Sequence, residues 1–492
     1  MPTDSATVAT RKPLYVYVRR ILTLGDLIEQ DITTAPSLDL PNIEPERYFV
    51  PRNGGKYMLF FAKIKKSARP EKCPFCKEGN CLIFSGCSKE RVIHDVVRSN
   101  YRIDIVLKPS RLKCNRCGQR FVAQVPEIDD EHPMTTRLLD YLRDECFLQS
   151  HTMLAERSGV SVETIRNILN EEVEKFDDER KNNPLLAPRV LGIDEKHINR
   201  IMRGTIVDVE NGLLLDMLED NKEQTMKKAI TLLKDWDIRI EVVTTDMNNS
   251  YLKWLPNFLP KATIVIDKFH VIQDIEQRIT TTKKELYKHR LEVIRKIEDT
   301  EERIRQMNIL HFLKADGRLL NYSMETLVRE DKTDKAIKLA TVTNEFPEFR
   351  LLRELYFAVE SMYYQETYED AENAWDEWMR RLPPGNEKEY KKWCDLYSVI
   401  PPMFDCFRSF TRPGFQQFKP YILNYFKPGC RKTNAATEGL NTLIRNVNSL
   451  GNGYSFRNLR AKCLYISLVH ERIHYGIDLD IVIREYKEHI NS

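Results

Sequence analysis

Long apolar stretches are absent from this chain of 492 residues. A helix needs about 20 apolar residues in succession to cross a membrane, and no segment of the sequence offers them. The N-terminus carries no secretory signal pattern, and neither an internal repeat nor a low-complexity tract stands out. Because eleven cysteines occur without any sign of secretion, the sequence predicts a cytoplasmic protein with reduced thiols, without disulfides and without a membrane span.

Net charge is also small, at +3, but the charges are unevenly distributed along the chain. Residues 51–120 contain 17 Lys or Arg against 5 Asp or Glu. Between residues 406 and 470 there are ten Lys or Arg and a single carboxylate, Glu438. Such segments are typical of phosphate-binding surfaces, although a basic face can also serve solubility alone. The charge pattern therefore favours a nucleic acid as the partner.

Two further carboxylates follow short apolar runs that have the composition of buried strands. Asp194 and Asp246 each come at the end of such a run. Between them the sequence predicts two strands joined by an Asn-Gly turn, and then a helix over residues 222–236. A further strand leads to Asp267. This order predicts an α/β core with a mixed sheet, because the hairpin is antiparallel while the helix permits a parallel crossover.

Carboxylates from distant segments can converge on divalent cations. Asp194, Asp246 and Glu438 would supply the hard oxygen ligands that favour Mg²⁺ or Mn²⁺ over Zn²⁺. Two such ions lower the pKa of an attacking water or 3′-hydroxyl and stabilise the leaving oxygen in phosphoryl transfer. Taken singly, each aspartate is more often an ordinary acid at the end of a strand. The prediction therefore depends on all three occurring in this order.

Four short runs together resemble a known family. They are Gly192–Glu195, Thr245–Tyr251, Asp267–Val271 and Asn434–Asn441. In this order they are similar to the DDE transposases of bacterial insertion sequences, most closely the ISL3 family, and the resemblance extends from about residue 73 to about residue 470. It implies an RNase H-like catalytic core with Asp194, Asp246 and Glu438 as the metal-binding triad. It also implies action on the terminal inverted repeats and the target DNA of a mobile element, in the bacterial nucleoid.

The spacing of the three acids implies an insertion in this core. Asp246 and Glu438 lie 192 residues apart, which is too long for a plain RNase H-like core. Helical periodicity after His270 predicts that the insertion is all-helical. Asp267 also follows a strand and is the alternative second aspartate. Asp246 is preferred because it lies on the strand after the helix, the position that the resemblance assigns to this ligand.

Two Cys-x-x-Cys pairs, separated by 37 residues, predict a metal site. Their members are Cys73, Cys76, Cys114 and Cys117. Four thiolates presented by two tight turns complete the tetrahedral shell of one structural Zn²⁺. Strand-like runs over residues 91–97 and 101–107 indicate that the whole segment is a zinc ribbon; a redox pair or unconnected thiols are the alternative. Cys81 and Cys87 remain either packing residues or alternative ligands.

Residues 154–169 have helix-turn-helix form. Gly159 can turn the chain, and Ser161 can cap the second helix. The outward positions of that helix would meet a DNA major groove; they are Thr164, Arg166 and Asn167. The same geometry occurs in plain helical bundles. The basic cysteine module beside it is what favours DNA binding.

A second set of cations surrounds Glu438. On a helix that begins near Asn434, Glu438, Asn441 and Arg445 fall on one stripe at spacings of three and four residues. One helix face would thus bind both metal and DNA phosphate. The DNA-binding residues predicted in this region are Arg431, Lys432, Arg445, Arg457 and Arg460.

By its length the chain holds several domains. The predicted order is an N-terminal segment (1–50), a zinc ribbon (51–126), a helix-turn-helix domain (127–185), the first part of the catalytic core (186–270), a helical insertion (271–428) and the second part of the core (429–492). The expected reaction is metal-dependent strand cleavage and strand transfer by a homodimer or larger assembly that pairs two element ends. The alternatives are a transposase-derived DNA-binding regulator without catalysis and an RNase H-like nuclease that does not join strands.

Overall fold

A computed structural model describes residues 23–400, 403–432, 435–451 and 453–469. The beginning of the expected N-terminal segment, Asn434 and residues 470–492 therefore lie outside the described residues. The chain divides into two compact units, with the boundary between Lys175 and Phe176. Each unit has its own sheet and its own buried apolar cluster.

The first unit contains a five-stranded sheet, a three-stranded sheet and three helices. Its strands are β1 (Leu27–Gln30), β2 (Ile43–Pro51), β3 (Tyr57–Ile64), β4 (Leu82–Cys87), β5 (Arg91–Arg98), β6 (Tyr101–Lys108), β7 (Ser110–Cys114) and β8 (Arg120–Val122). The larger sheet has the order β1-β2-β3-β6-β5, and the smaller one has the order β4-β7-β8. Phe60, Ile93 and Ile105 from the larger sheet are fully buried in one apolar cluster, which forms the core of this unit.

The strands predicted between the two cysteine pairs belong to the larger sheet. β5 pairs antiparallel with β6, and β6 pairs in parallel with β3. β2 runs through Pro51, so the boundary expected at residue 50 falls inside a strand. The pattern of apolar residues indicates a strand but not its partner, because pairing depends on contacts that are distant in sequence. The three-stranded sheet alone adjoins the cysteine turns.

Three helices begin in this unit: α1 (Thr136–Leu148), α2 (His151–Ser158) and α3 (Val162–Asn182), of which α3 continues past the unit boundary. A sharp turn joins α2 to α3. Gly159 ends α2 with a φ of 76°, and a Cβ at this position would collide with the Arg102 side chain. The Ser161 hydroxyl accepts a hydrogen bond from the backbone N–H of Thr164 (3.0 Å). The apolar positions around the turn are buried: Leu154, Val160, Ile165 and Ile168. The turn and the cap expected from the sequence are both present.

The second unit is built on a five-stranded mixed sheet. Its strands are β9 (Val190–Ile198), β10 (Ile201–Asp208), β11 (Leu213–Met217), β12 (Val242–Thr245) and β13 (Thr263–Ile266). The order is β11-β10-β9-β12-β13. β9, β10 and β11 form an antiparallel meander, whereas β12 is parallel to both β9 and β13. The mixed sheet predicted from the sequence is therefore confirmed.

The helices of the second unit are α4 (Glu223–Thr231), α5 (Trp236–Arg239), α6 (Asn249–Phe258), α7 (Lys268–Arg295), α8 (Thr300–Ala315), α9 (Met324–Arg329), α10 (Thr333–Glu345), α11 (Pro347–Met362), α12 (Tyr368–Arg381), α13 (Glu387–Tyr397), α14 (Pro413–Gln416), α15 (Lys419–Leu423), α16 (Ala435–Gly451) and α17 (Phe456–Leu468). The helix expected over residues 222–236 ends earlier, at Thr231. The short helix α5 begins after Asp235, whose φ of 58° lies outside the right-handed helical region.

Helices cover both faces of this sheet. α4 and α6 pack on one face, where Leu255 of α6 and Val243 of β12 lie in one buried cluster. α16 and α17 pack on the other face, where Ile444 of α16 lies with Leu214 of β11. The sheet is thus the middle of three layers, and packing on both sides fixes the residues at its strand ends.

The helical part of this unit starts and ends at β13. Asp267 caps α7 directly after β13. The side-chain amide of Asn424 donates to the backbone oxygen of Ile264 on β13 (2.8 Å), where the chain returns to the sheet. Between these points the helices enclose their own apolar cluster, with Trp375 and Trp378 fully buried. Within the described ranges, no helix combines the length and apolar composition that a membrane span requires.

Candidate active site and cysteine metal site

Three aspartates stand in one row across neighbouring parallel strands. The register of β12 with β9 and with β13 puts Asp194, Asp246 and Asp267 at the same level of the sheet. Asp194 lies within β9, whereas Asp246 and Asp267 directly follow β12 and β13. Adjacent strands are about 4.8 Å apart. The backbone therefore brings the three carboxyl groups to one edge of the sheet.

The Asp194 carboxylate is held from two sides. Its Oδ1 accepts a hydrogen bond from the backbone N–H of Glu195 (2.8 Å), and its Oδ2 accepts one from Nδ2 of Asn441 (2.8 Å). Asp194 is only 8% exposed. Both oxygens are thus oriented by the fold before any ligand binds.

Glu438 lies close to Asp194, on the helix α16 that packs against one face of the sheet. The apolar stripe of α16 packs on the sheet, which leaves the polar stripe free to face a cleft. Glu438, Asn441 and Arg445 line this cleft of about 380 Å³ together with Asp194. Glu438 itself is exposed. Two of the predicted acids, 244 residues apart, therefore share one cleft.

Asp246 lines a second cleft that adjoins the first. This cleft has a volume of about 780 Å³ and shares His270 and Gln273 with the cleft of Asp194. Burial above all, together with the carboxylates of Glu195 and Asp194, raises the pKa of Asp246 to about 6, against the opposing effect of His270. A carboxyl group whose pKa is raised by neighbouring carboxylates is stabilised in its charged form by a nearby cation.

The donor set of the two clefts fits divalent ions that prefer oxygen ligands. Asp194, Asp246 and Glu438 offer carboxylate oxygens only, and the buried Oδ1 of Asn441 has no hydrogen-bond partner in the described structure. Among the described residues, only cysteines form a group of potential ligands whose atoms all lie within 4.8 Å of one another. The ligand oxygens of the three acids therefore do not all lie within 4.8 Å of one another in this structure.

Asp267, the alternative second aspartate, caps a helix and also lines the cleft of Asp194 and Glu438. Its side chain accepts a hydrogen bond from the backbone N–H of Phe269 (3.3 Å) and so caps α7. It is 1% exposed, whereas Asp246 is half-buried. Accessibility favours Asp246, whereas the cleft shared with Asp194 and Glu438 favours Asp267. Asp246 therefore stays a prediction that depends on the family resemblance.

Residues 191–463, which include all three acids, match the family model for ISL3-type DDE transposases, described as a transposase. This segment is more than half of the chain. The chain belongs to the ISL3 family of DDE transposases. The resemblance seen in the four short runs is thereby confirmed, and the family supports a transposase function in general. No curated protein matches the chain.

The four predicted cysteines of this transposase meet in the first unit. They are Cys73, Cys76, Cys114 and Cys117, and their sulphur atoms all lie within 4.8 Å of one another. The Sγ–Sγ distance is 3.7 Å for Cys73 and Cys117 and also for Cys76 and Cys114. Four thiolates about 2.3 Å from a tetrahedral Zn²⁺ lie about 3.8 Å apart. The quartet therefore fits the predicted zinc ion.

Each cysteine pair is presented by the same backbone turn. The N–H of Lys77 donates to the carbonyl oxygen of Cys73, and the N–H of Gly118 donates to that of Cys114, both at 2.9 Å. Lys77 and Gly118 both adopt a positive φ, of 61° and 74°. The turn is natural for glycine and uncommon for lysine. This shared geometry aims the thiols of both pairs at one point.

Cys81 lies beside the quartet without being part of it. Its Sγ lies 3.4 Å from Sγ of Cys114, and its thiol donates to the backbone oxygen of Glu78 (3.1 Å). Burial above all raises the pKa of Cys81 to about 11, so that it stays protonated at neutral pH. A hydrogen bond from the backbone N–H of Cys117 lowers the pKa of Cys114 to about 6, which favours the thiolate that a metal needs. Cys87 is exposed. The geometry favours packing for Cys81, one of the two roles that the sequence left open.

Two of the cations predicted to contact DNA are tied to acids of the protein. Arg460 donates to Asp216 (2.7 Å) and to Asp177 (3.0 Å), and its side chain is 21% exposed. Arg457 also contacts Asp177 (3.3 Å) but is half exposed. Asp216 lies 244 residues before Arg460, so a local count of charges does not include it. Arg460 thus has little surface left for DNA.

Of the cations closer to Glu438, some are bound by other groups of the protein and one is not. Lys432 pairs with Glu210 (3.0 Å), and Arg431 donates to the backbone oxygen of Glu366 (2.7 Å). Arg445, in contrast, is exposed in the cleft and makes no ion pair within the described residues. Lys196 lines the same cleft and was not singled out in the sequence. The alternation of side chains along a strand could have indicated Lys196, because it lies two residues after Asp194 on β9 and therefore shares its face.

The residues predicted for groove contact lie on the first turns of α3. Arg166 and Asn167 are exposed, whereas Thr164 is half-buried. Thr164 shares a hydrogen bond with the Ser161 hydroxyl (2.8 Å), and Arg166 pairs with Glu163 (2.5 Å). Surface ion pairs of this kind are weak, so Arg166 can exchange Glu163 for a phosphate at small cost.

The raised pKa of Asp246 predicts that metal binding depends on pH. A proton on Asp246 competes with the cation, so Mn²⁺ affinity should fall by up to about tenfold per pH unit below the pKa of about 6. Isothermal titration calorimetry with Mn²⁺ between about pH 5 and pH 7 measures this dependence. An affinity that does not change over this range would contradict a role for Asp246 as a metal ligand.

Proposed function

We propose that this transposase binds the terminal inverted repeats of an insertion sequence, cleaves the DNA at the element ends and joins the freed ends to target DNA with the help of two divalent metal ions. The observation that carries the proposal is the convergence of Asp194, Asp246 and Glu438 on two adjoining clefts. Family membership supplies the general reaction class. The three acids supply the oxygen ligands that Mg²⁺ and Mn²⁺ prefer.

The catalytic core is proposed to be RNase H-like. The support is the sheet order β11-β10-β9-β12-β13, in which an antiparallel meander is followed by two parallel neighbours. Helices cover both faces of this sheet. The acids lie on its first strand, after its fourth strand and on a later helix, which are the positions that the family resemblance implies.

In this proposal the residues of the clefts divide the work of phosphoryl transfer. Two bound ions would lower the pKa of the attacking water or 3′-hydroxyl and stabilise the leaving oxygen. Asp194 is preoriented by Asn441, so it needs no rearrangement when a ligand arrives. Arg445 and Lys196 place positive charge on the cleft wall, where it can hold the phosphates that flank the reacting bond. Metal-assisted attack of this kind needs no side-chain base.

The first unit is proposed to bind DNA through its cysteine module. In the three-stranded sheet Lys113 pairs with Arg120, and Arg111 lies two residues from Lys113 on the same face. None of the three makes an ion pair within the described part of the chain, unlike Arg457 and Arg460 in the second unit. Three uncommitted cations on one sheet face favour contacts with the DNA backbone, and affinity should fall steeply with salt.

Recognition of the DNA base sequence is proposed to depend on α3 rather than on the three-stranded sheet. Arg166 and Asn167 are exposed near the start of the helix, the part that enters the major groove in helix-turn-helix proteins. Cleavage of an element requires both of its ends, so the active form is proposed to be a homodimer or a larger assembly on DNA. Its place of action would be the bacterial nucleoid, where its substrate lies.

A strand-transfer assay tests the proposed function. The DNA that flanks this reading frame should carry imperfect inverted repeats, and a labelled duplex of one repeat is incubated with supercoiled plasmid and Mg²⁺. The expected products are a nick at the repeat end and a label covalently joined to the plasmid. Binding without a nick would identify a DNA-binding regulator instead. Cleavage without joined product would identify a nuclease.

A further inference from the structure

One buried polar atom, in a residue that lines the Asp194 cleft, has no hydrogen-bond partner in the described structure. Asn441 lies on α16, three residues after Glu438, and is 8% exposed. Its Nδ2 donates to Oδ2 of Asp194, while its Oδ1 is buried and accepts no hydrogen bond in the described structure. Buried amide oxygens are nearly always satisfied, because desolvation without compensation is unfavourable. This oxygen therefore points to a ligand.

The orientation of the amide follows from the chemistry of its neighbour. A carboxylate accepts hydrogen bonds and does not donate them, so the nitrogen of Asn441 must face Asp194 and the oxygen must face elsewhere. Rotation of the amide by half a turn would bring two acceptors together. The unpartnered atom is therefore the oxygen, in a residue that lines the cleft with Asp194 and Glu438.

The character of the missing ligand follows from the same argument. An amide oxygen only accepts, and DNA phosphate oxygens also only accept, so the DNA backbone cannot satisfy Asn441. Arg445 and Lys196 line the same cleft, yet neither donates to this oxygen. A water molecule or a cation can satisfy it, and beside two carboxylates a cation is favoured because amide oxygens are regular ligands of hard divalent ions. The backbone of α16 is fixed by packing on the sheet, so the oxygen is held in place.

We propose that Oδ1 of Asn441 is a further ligand of the divalent ion held by Asp194 and Glu438. This inference rests on the proposed role of those two acids. Asn441 then acts twice at the site: its nitrogen orients Asp194, and its oxygen binds the ion. As a neutral ligand it adds an oxygen without adding negative charge that would repel the incoming phosphate.

Two substitutions separate these roles. Asn441→Asp keeps an oxygen at this position and removes the donor to Asp194, whereas Asn441→Leu has a similar size and removes both. Mn²⁺ binding is measured by calorimetry and by electron paramagnetic resonance on the full chain with its cysteine site filled with zinc and without DNA. Asn441→Leu should weaken Mn²⁺ binding about tenfold or more, and Asn441→Asp should bind at least as tightly as the unmodified protein.

Equal Mn²⁺ binding by the two variants would overturn the proposal. If Asn441 only positions Asp194, both variants lose the same donor and bind Mn²⁺ equally weakly, or both bind it normally. Asn446→Leu, on the exposed side of the same helix, is the matched control and should bind Mn²⁺ normally. Thermal unfolding without metal verifies that each variant is folded, and Asn441→Ser replaces Asn441→Leu if the leucine does not fit.

A parallel titration distinguishes failure of this inference from failure of the proposed function. Asp194→Asn and Glu438→Gln should each lose most Mn²⁺ binding. If they do while Asn441→Leu binds normally, only the role of Asn441 is contradicted. If these two variants bind Mn²⁺ as the unmodified protein does, or if the unmodified protein binds none at millimolar concentration, the metal site itself is contradicted.

Discussion

Replacing Asp194 or Asp246 by asparagine, or Glu438 by glutamine, is expected to abolish DNA cleavage while binding of the element end persists. Each amide keeps the size of the acid and removes the charge that binds the ion. Metal ions contribute several kcal/mol of charge stabilisation to phosphoryl transfer, so cleavage should fall by about a thousandfold or more. Gel-shift and nicking assays on the same labelled duplex measure both properties.

Asp246→Asn has a second expected result that a folding defect would not produce. The folded chain raises the pKa of Asp246 from 3.8 to about 6, so its ionisation costs folding free energy from about pH 4 upward and in full above about pH 6. The amide carries no charge, so this variant should unfold at a higher temperature than the unmodified protein at neutral pH without metal. Loss of cleavage together with a higher Tm identifies a functional residue.

Glu241→Gln is the matched control for these variants. Glu241 lies just before β12, at the opposite end of that strand from Asp246, and its side chain pairs with Arg189 (3.2 Å) at the surface. The Glu241→Gln variant should cleave DNA at the normal rate. Cleavage in Mg²⁺ by any one of the three triad variants at the normal rate would contradict the assignment.

Replacing Cys73 or Cys114 by serine is expected to release zinc and to weaken DNA binding. Both sulphur atoms are fully buried between the two turns, so no solvent ligand can take their place without disrupting them. Structural zinc supplies about 10–16 kcal/mol of apparent binding free energy in small zinc domains, so the cysteine module should lose its structure with the metal. DNA affinity should fall by about tenfold or more as the cations of the three-stranded sheet lose their common face.

Two other cysteines provide controls for the zinc prediction. Cys87 is exposed on β4, and Cys81 is a protonated neighbour of the quartet. Cys87→Ser and Cys81→Ala should both retain one zinc per chain, measured by inductively coupled plasma mass spectrometry after dialysis. Unchanged zinc content in Cys73→Ser would refute the site. Zinc loss in Cys81→Ala would instead give Cys81 the ligand role that the geometry disfavours.

Much of the second unit could be predicted because its signals are local. The apolar runs before Asp194 and Asp246 specify strands, the Asn-Gly turn specifies a hairpin, and helical spacing puts Glu438 and Asn441 on one stripe. These signals were sufficient for the mixed sheet, whereas the choice of the three candidate acids depended on the family resemblance and stays a prediction. The unpartnered oxygen of Asn441 was not predictable, because it depends on the position of Asp194 in space.

Other features depend on partners that no local pattern reveals. The surplus of cations after residue 406 suggested a DNA surface, yet Arg460 is satisfied by Asp216 and Asp177 from far upstream. In the first unit, β6 pairs with β5 inside the predicted zinc ribbon, but its other neighbour is β3, from before the first cysteine turn. Strand identity is encoded locally, whereas strand partners and ion-pair partners are selected by the whole fold.

The helical insertion leaves β13 through Asp267 and comes back to the same strand through Asn424 and its bond to Ile264. Both junctions therefore lie side by side on an outer strand of the sheet. A segment attached in this way can grow, shrink or be exchanged between related enzymes while the strands that carry the acids keep their spacing. Evolution can thus alter the helical segment without changing the sheet that holds the acids, and protein engineers have the same opportunity.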